Sequence, residues 1–326
     1  MLKNDLTIGV TGAAGFIGSH LCARLLAKGF RVIAVDDLSK GSQKNIESLK
    51  SNKNFLFKKL DITDIQKIQL AFKEVRIIIH LAAAKIPRYG GRSITLITNT
   101  KSAENLLEIA KLNKAKIIFA STSDVYGKNP KLPFSEESDL VLGSPEIARW
   151  AYAVSKIFDE HLCFAYWEEH KVPFVIIRLF GVYGPKQHRT WWGGPQALFI
   201  DKIIAGEKIE IHGDGKQKRT FIYINDVIDA ILRSITSEKA NNQILNIGTN
   251  DEISIINLAK LISKILKKPL KVKRVSYKSF TGKKYEDVKR RIPSVKKARK
   301  LLNWNPKVSL EDGLKKTIDW HKKNPL

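Results

Sequence analysis

Cysteine is nearly absent. Cys22 and Cys163 are the only two in 326 residues, both inside amphipathic helical patterns where a small apolar side chain fits the core. Two such thiols exclude a disulfide framework and point to a reducing compartment. Long apolar runs are missing too: nothing approaches the roughly 18 uninterrupted apolar residues of a membrane span, and Met1 to Thr7 lacks the apolar stretch of a secretory leader. A soluble, cytoplasmic protein is the expectation. His80, His161, His170, His188 and His212 are scattered without metal-ligand spacing, so no catalytic metal is expected. There is no internal repeat and no low-complexity tract.

Acidic residues are scarce. Against 57 Lys+Arg stand 32 Asp+Glu, a formal charge of +25, with the basic residues densest between Lys264 and Lys300. Such a surplus suits nucleic acid, an anionic membrane, an anionic substrate, or a solvated lysine-rich surface. These lysines are dispersed among Leu and Ile at helical spacing, which favours the solvated surface. Only Tyr277, Phe280 and Tyr285 could stack on bases in that stretch, and a nucleic-acid partner is not expected.

What is present is alternation. Short β-rich runs, Thr7–Thr11, Arg31–Asp36, Phe55–Lys59, Ile77–Leu81, Lys116–Ala120 and Phe174–Leu179, are separated by helix-length segments such as Phe16–Lys28 and Ile97–Leu112. Strands in continuous apolar runs, buried on both faces, predict an α/β fold: a Rossmann-type doubly wound parallel sheet covered by helices. Beyond Gly184 the regularity loosens. Glycine-rich turns at Trp191-Trp192-Gly193-Gly194-Pro195 and His212-Gly213-Asp214-Gly215, then helical patterns at Ile255–Leu266 and Ser309–His321, fit a smaller C-terminal substrate-binding lobe. Residues 1–184 are read mainly as the sheet domain and 185–326 mainly as the lobe, with some chain returning to the sheet.

Strand Thr7–Thr11 runs into Gly12-Ala13-Ala14-Gly15-Phe16-Ile17-Gly18 and then a helix, the context a phosphate-binding glycine loop requires. Gly12 permits the tight turn, Gly15 permits close approach of a pyrophosphate, and Gly18 lets the helix pack on the strand. The spacing is G-x-x-G-x-x-G rather than G-x-G-x-x-G. Asp36 ends the second strand, where an acid binds adenosine ribose hydroxyls and repels a 2′-phosphate, so NAD is favoured over NADP. Asp61, followed by Ile62, lies just past the third strand; it either meets the adenine amine or caps a helix.

Tyr152-Ala153-Val154-Ser155-Lys156 places a phenol and an ammonium on one helix face. A nearby ammonium is expected to lower the tyrosine pKa toward the range useful for exchanging protons with a sugar hydroxyl. The pair gains meaning from the glycine loop and from Ser121-Thr122-Ser123-Asp124-Val125-Tyr126-Gly127 at the end of the fifth strand.

Together these elements resemble the extended short-chain dehydrogenase/reductases, in particular the nucleotide-sugar epimerase, dehydratase and decarboxylase group. The resemblance runs from Gly12 to Asn303-Trp304-Asn305-Pro306. It implies a catalytic set of Thr122, Tyr152 and Lys156 with Ser123 and Asp124 beside it. It also implies NAD contacts from the loop residues, including Phe16 and Ile17, from Asp36, Asp61 and Ile62, from Leu81, Ala82, Ala83 and Lys85, from Asn99, and from Tyr152 and Lys156. The implied first step is shared by the group: Tyr152 takes the C4 hydroxyl proton of the sugar while hydride leaves C4 for NAD, giving a 4-keto sugar. A homodimer through helices 97–112 and 152–170 is a further implication.

The branches part after that ketone. Dehydratases carry Asp-Glu where this chain has Ser123-Asp124, so dehydration is disfavoured. Decarboxylases carry Ser-Glu and a carboxylate-binding arginine, which Arg291 matches; Arg149-Trp150-Ala151-Tyr152 and Tyr89 also fit them, and the shortening to Asp124 does not. The reading favours a 4-epimerase acting on a nucleotide-sugar, with decarboxylation as the alternative and an NAD-retaining nucleic-acid-binding protein as the alternative of another class. Arg219 matches an arginine on the diphosphate, a role suited to a planar fork of donors; a surface ion pair is its plain reading. Tyr285 stacks on the base or simply packs. Trp191 and Trp192 border the sugar pocket or seal the junction of the lobes. Gly181 replaces the usual asparagine of the segment Arg178 to Pro185 and puts that residue's phosphate contact in doubt.

Overall fold

The structure is a computed structural model and describes residues 6–85, 91–191, 193–276 and 286–326. Tyr89, Trp192, Tyr277, Phe280 and Tyr285 lie outside the described residues.

Runs rich in Val and Ile form the strands of the main sheet: β1 (Thr7–Thr11), β2 (Arg31–Asp36), β3 (Phe55–Lys59), β4 (Ile77–His80), β5 (Lys116–Thr122) and β6 (Phe174–Leu179). The chain continues with the short strands β7 (Val182–Tyr183), β8 (Ile209–His212), β9 (Lys218–Thr220) and β10 (Ile222–Tyr223), then β11 (Gln243–Ile247), β12 (Glu252–Ser254), β13 (Val272–Val275) and β14 (Arg290–Arg291). The α-helices are α1 (Phe16–Ala27), α2 (Ile65–Ala71), α3 (Arg92–Asn113), α4 (Trp150–His170), α5 (Pro195–Ile204), α6 (Ile224–Thr236), α7 (Ile255–Leu266), α8 (Lys296–Leu302) and α9 (Leu310–Lys323).

The central sheet has seven strands in the order β11-β6-β5-β4-β1-β2-β3, paired in parallel throughout. The first six strands follow the doubly wound order, which reverses direction between β1 and β4 and opens a crevice at the carboxyl ends of those strands. The expected Rossmann-type architecture is therefore present. β11 extends it by bringing the lobe's chain back to pair with β6, Leu245 opposite Ile177.

Period-two alternation divides the strand residues between two cores. Ile8, Val10, Ile79, Ile118 and Ile177 pack on one face, with α1 and α6; Ile33, Val35, Ile78, Ile117 and Ile176 pack on the other, with α2, α3 and α4. Each such side chain contributes about 1.5–3 kcal/mol on burial. β3 departs from the expectation of strands buried on both faces: it is the sheet edge, and Leu56 stays exposed. Helix α3 starts at Arg92, ahead of the expected Ile97, because its first turn is polar and lacks apolar periodicity.

In the lobe, β9 pairs antiparallel with β12 and parallel with β14, while β13 runs parallel to β8. The pairing of β14 with β9 sets Arg291 opposite Arg219, although 72 positions separate them in the chain. That register places both guanidinium groups over the carboxyl end of β5.

Candidate active site

The glycine loop is built as its residue types require. Gly12 has φ +67°, and a Cβ there would lie 2.8 Å from Ala82 N, so the β1 and β4 loops close only over glycine. A Cβ on Gly18 would lie 2.1 Å from the Gly12 carbonyl oxygen, which sets how closely α1 approaches the loop. Gly15 caps α1 without a side-chain hydrogen bond, and the first turn carries no acid. The helix therefore presents amide N–H groups to an anion. Phe16 and Ile17 are half-buried beside it.

Asp36 is buried at the end of β2. Its Oδ2 accepts from Ala14 N at 3.0 Å and its Oδ1 from Leu38 N at 2.8 Å. Burial pushes this carboxyl up, and the N–H donors pull it back. A Cβ on Gly41 would sit 2.7 Å from Asp36 Oδ1, so the loop leaves space around the carboxylate and none for a side chain. A donor-lined anion cradle beside a buried carboxylate fits the pyrophosphate and adenosine ribose of NAD.

Other expected contacts differ in what they do. Asp61 is exposed, and its Oδ1 accepts from Thr63 N and Thr63 Oγ1, both at 2.8 Å. It does not cap α2; Asp64 does, accepting from Lys67 N. That corrects the alternative reading of Asp61, and the signal was available, since Asp64 stands immediately before the helical run. Ile62 is buried next to Asp61. Leu81 and Ala82 are half-buried with their N–H groups toward Thr11 Oγ1, at 3.3 and 3.4 Å, and Ala83 and Lys85 are exposed. Asn99 is buried and uses its amide to brace the site: Oδ1 accepts from Ala84 N at 2.8 Å, and Nδ2 donates to Ser155 Oγ at 2.9 Å.

β5 ends in Thr122, whose Oγ1 accepts from Asp124 N at 3.2 Å and caps the turn Ser123–Tyr126. That turn packs against α4, which carries Tyr152 and Lys156. Tyr152 is half-buried and Lys156 fully buried. Desolvation first, and then the charges of Asp124 and Asp159, hold the Tyr152 phenol above its ordinary value. The expected lowering by Lys156 is not found. The ammonium lies 3.5 Å from Asp159 Oδ2 and 4.3 Å from the centre of the Phe119 ring, so its field is balanced by a carboxylate one turn along the helix.

Beyond Thr122 the lobe supplies the charges. Arg291 Nη1 lies 2.6 Å from Asp124 Oδ1 and 3.3 Å from Ser123 Oγ, and Arg149 Nη2 lies 3.3 Å from the same Asp124 oxygen. Burial raises the Asp124 carboxyl, but the guanidinium groups of Arg291, Arg149 and Arg219 outweigh it and hold the group below the usual carboxylate range. Arg219 Nη2 donates to Asp287 Oδ1 at 2.9 Å; burial and the neighbouring Arg291 bring its pKa down to about 10. Three arginines, Arg149, Arg219 and Arg291, therefore face two aspartates, Asp124 and Asp287.

Ser123, Arg149, Arg219, Asp287 and Arg291 line a cavity of ≈ 300 Å³ that Gly181, Trp191, Gln196 and His212 also border. Trp191 stacks on His212 at 4.5 Å between ring centroids, so it borders the pocket as well as packing. Gly181 has φ +41°, and a Cβ there would lie 2.1 Å from the Thr220 carbonyl oxygen; asparagine would not fit this backbone. Thr220 Oγ1 is buried at that point with no hydrogen-bond partner. Asp287, which ties Arg219 to Arg149, and Asp159, on the same helix as Tyr152, are site residues the sequence reading passed over. Asp159 could have been found from its three-residue spacing to Lys156. No local signal marks Asp287. Among the described residues no His, Cys, Asp and Glu cluster could hold a metal ion.

The chain is similar to proteins of known activity over nearly its whole length. The family model described as GDP-mannose 4,6 dehydratase matches residues 10–317. A UDP-N-acetyl-alpha-D-glucosaminuronate decarboxylase from Bacillus cytotoxicus is 36% identical over 95% of this chain and 96% of its own. UDP-glucuronic acid decarboxylase 1 from Xenopus tropicalis is 34% identical over 98% of this chain and 73% of its own. Among solved structures, a UDP-glucuronic acid 4-epimerase from Bacillus cereus, in complex with UDP-glucuronic acid and NAD, has a TM-score of 0.87 at 31% identity over 98% of this chain and 99% of that one. With the glycine loop, the Tyr152–Lys156 helix and the sheet order all in agreement, the chain belongs to the extended short-chain dehydrogenase/reductases, in the NAD-dependent nucleotide-sugar epimerase and dehydratase family.

Proposed function

We propose that this chain is an NAD-dependent 4-epimerase of a UDP-linked hexose, working in the cytoplasm as a homodimer. Gly12, Gly15, Gly18 and Asp36 hold the cofactor, which when bound supplies the hydride acceptor for C4 and returns the hydride. Tyr152 takes the proton from the C4 hydroxyl and gives it back, with Thr122 aligning that hydroxyl. Arg219 binds the diphosphate, and the cavity beyond it leaves space for the 4-keto sugar to turn over before the hydride returns to its other face.

The observation that carries this reading is the state of Asp124. Elimination of water and loss of CO₂ both call for a proton donor near C5 or C6. Asp124, the carboxyl this reading assigns to that position, pairs with Arg291 and Arg149, whose charges hold it below the usual carboxylate range. Epimerisation needs no second donor. Decarboxylation is the second reading, favoured by Arg291, which matches the carboxylate-binding arginine of that branch and lines the cavity.

Incubation with UDP-glucose, UDP-N-acetylglucosamine and UDP-glucuronate, followed by mass spectrometry and NMR, separates the two. The expected result is unchanged mass with C4 inverted. Loss of CO₂ from the uronate overturns epimerisation and establishes the second reading, whereas no turnover of any sugar, with salt-dependent retention of nucleic acid, favours a binding protein.

A further inference from the structure

Lys156 and Asp159 form a buried ion pair that the reaction as proposed does not use. Their side chains are 1% and 0% exposed, with Nζ 3.5 Å from Oδ2. An ammonium removed from water survives only beside a counter-charge. Among the described residues the other nearby carboxylate is Glu160, and it is committed elsewhere: it accepts from Arg178 Nε at 3.0 Å and Nη2 at 2.6 Å, and from Ser121 Oγ at 2.5 Å. Asp159 has no such commitments, since neither of its oxygens receives a hydrogen bond.

Asp159 is the first of the charges that support Lys156, with smaller contributions from Cys163 and Glu160 on α4. Lys156 is faced on β4 by His80, which is buried with Nδ1 2.8 Å from Thr11 Oγ1, and on β5 by the Phe119 ring. The imidazole of His80 is held well below its ordinary value by burial and by Lys156 itself. It is therefore neutral and does not compete for the carboxylate. From α3, Ser102 and Asn99 reach this layer as uncharged groups.

We propose that Asp159 is a positioning residue that keeps Lys156 an ammonium in a dry site, so that a cation remains on the helix face of Tyr152 throughout the working pH range. The role rests on Tyr152-mediated C4 oxidation. Asp159 also opposes ionisation of Tyr152, so the arrangement exchanges some phenol acidity for a lysine that stays charged. Burial already lowers the basicity of Lys156 and the Asp159 charge works against it, so without the carboxylate the lysine is expected to lose its proton more readily.

The test uses the NAD-loaded protein with lysine labelled at ¹³Cε, the Lys156 resonance being the one lost in Lys156→Arg. In Asp159→Asn it should titrate at a distinctly lower pH than in the parent, with Asp159→Glu restoring the parent value. Alongside, the rate of C4 oxidation by Asp159→Asn should fall by about tenfold or more at pH 8–9 and recover as the pH is lowered. A Lys156 resonance that titrates in Asp159→Asn at the same pH as in the parent overturns the proposal. So does a rate lowered by one factor at every pH, or a rate raised at low pH by a freed Tyr152. Should Asp159→Asn not fold, Asp159→Glu decides alone: a Lys156 titration shifted down despite the retained charge overturns the role. The lysine titration needs no turnover, so an error in the proposed reaction leaves this readout intact.

Discussion

Arg291 Nη1 lies 2.6 Å from Asp124 Oδ1 and joins β14 of the C-terminal lobe to the turn that follows β5. With Arg149 and Arg219, Arg291 holds the Asp124 carboxyl below the usual carboxylate range. Asp124 is held below its unfolded value, so its pairing stabilises the fold in full above about pH 4 and is lost as the pH falls through the lower folded value. In Arg291→Gln the stability gap to the parent should be widest near neutral pH and should close in acid. Urea unfolding across pH measures it; a gap of constant size would mean that the pair does not set the Asp124 charge.

Tyr152→Phe should abolish turnover, with a loss of about 100-fold or more, while the protein keeps its NAD. The cradle formed by Gly12, Gly15, Gly18 and Asp36 does not depend on the phenol oxygen. Undiminished activity on any of the three UDP-sugars would refute the assignment of Tyr152.

Gly18→Ala brings a methyl group to 2.1 Å from the Gly12 carbonyl oxygen, which cannot move without shifting the loop. Overpacking of this kind costs about 1–3 kcal/mol, and the distorted cradle should lose NAD affinity as well. Thermal unfolding with and without added NAD reads both effects; retained cofactor affinity would show that the loop tolerates the shift.

Glu160 and Arg178 pair through two hydrogen bonds at 5% and 3% side-chain exposure. Glu160→Gln leaves a buried guanidinium without its counter-charge and should cost about 3–5 kcal/mol, read as a lower midpoint in urea. A loss well under that range would mean that water enters the site.

Exposed apolar side chains on α3 and α4, among them Ile97 at 66% and Phe158 at 50% exposure, form the face proposed for the homodimer. Ile97→Glu with Phe158→Glu should shift sedimentation from dimer to monomer. A parent protein that already sediments as a monomer removes the dimer from the proposal.

Six of the seven strands of the central sheet were legible because their information is local: runs such as Ile77–His80 and Phe174–Leu179 bury both faces and read as mostly apolar, whereas β11 was not legible. The glycine loop was legible for the same reason, since backbone sterics dictate Gly12 and Gly18 wherever a strand turns tightly into a helix. The short lobe strands were not. β9 and β14 are two or three residues long, and their pairing depends on chain segments some 70 positions apart.

Tyr152 and Lys156 divide along the same line. Their common helix face follows from a spacing of four residues, which the sequence by itself determined. The ionisation of that face did not follow, because it depends on which charges are buried together. Only the tertiary structure decided that Asp159 balances Lys156, that Glu160 is claimed by Arg178, and that Arg291 reaches across from β14 to hold Asp124 ionised. Desolvation and pairing belong to the packed molecule and are not readable along the chain.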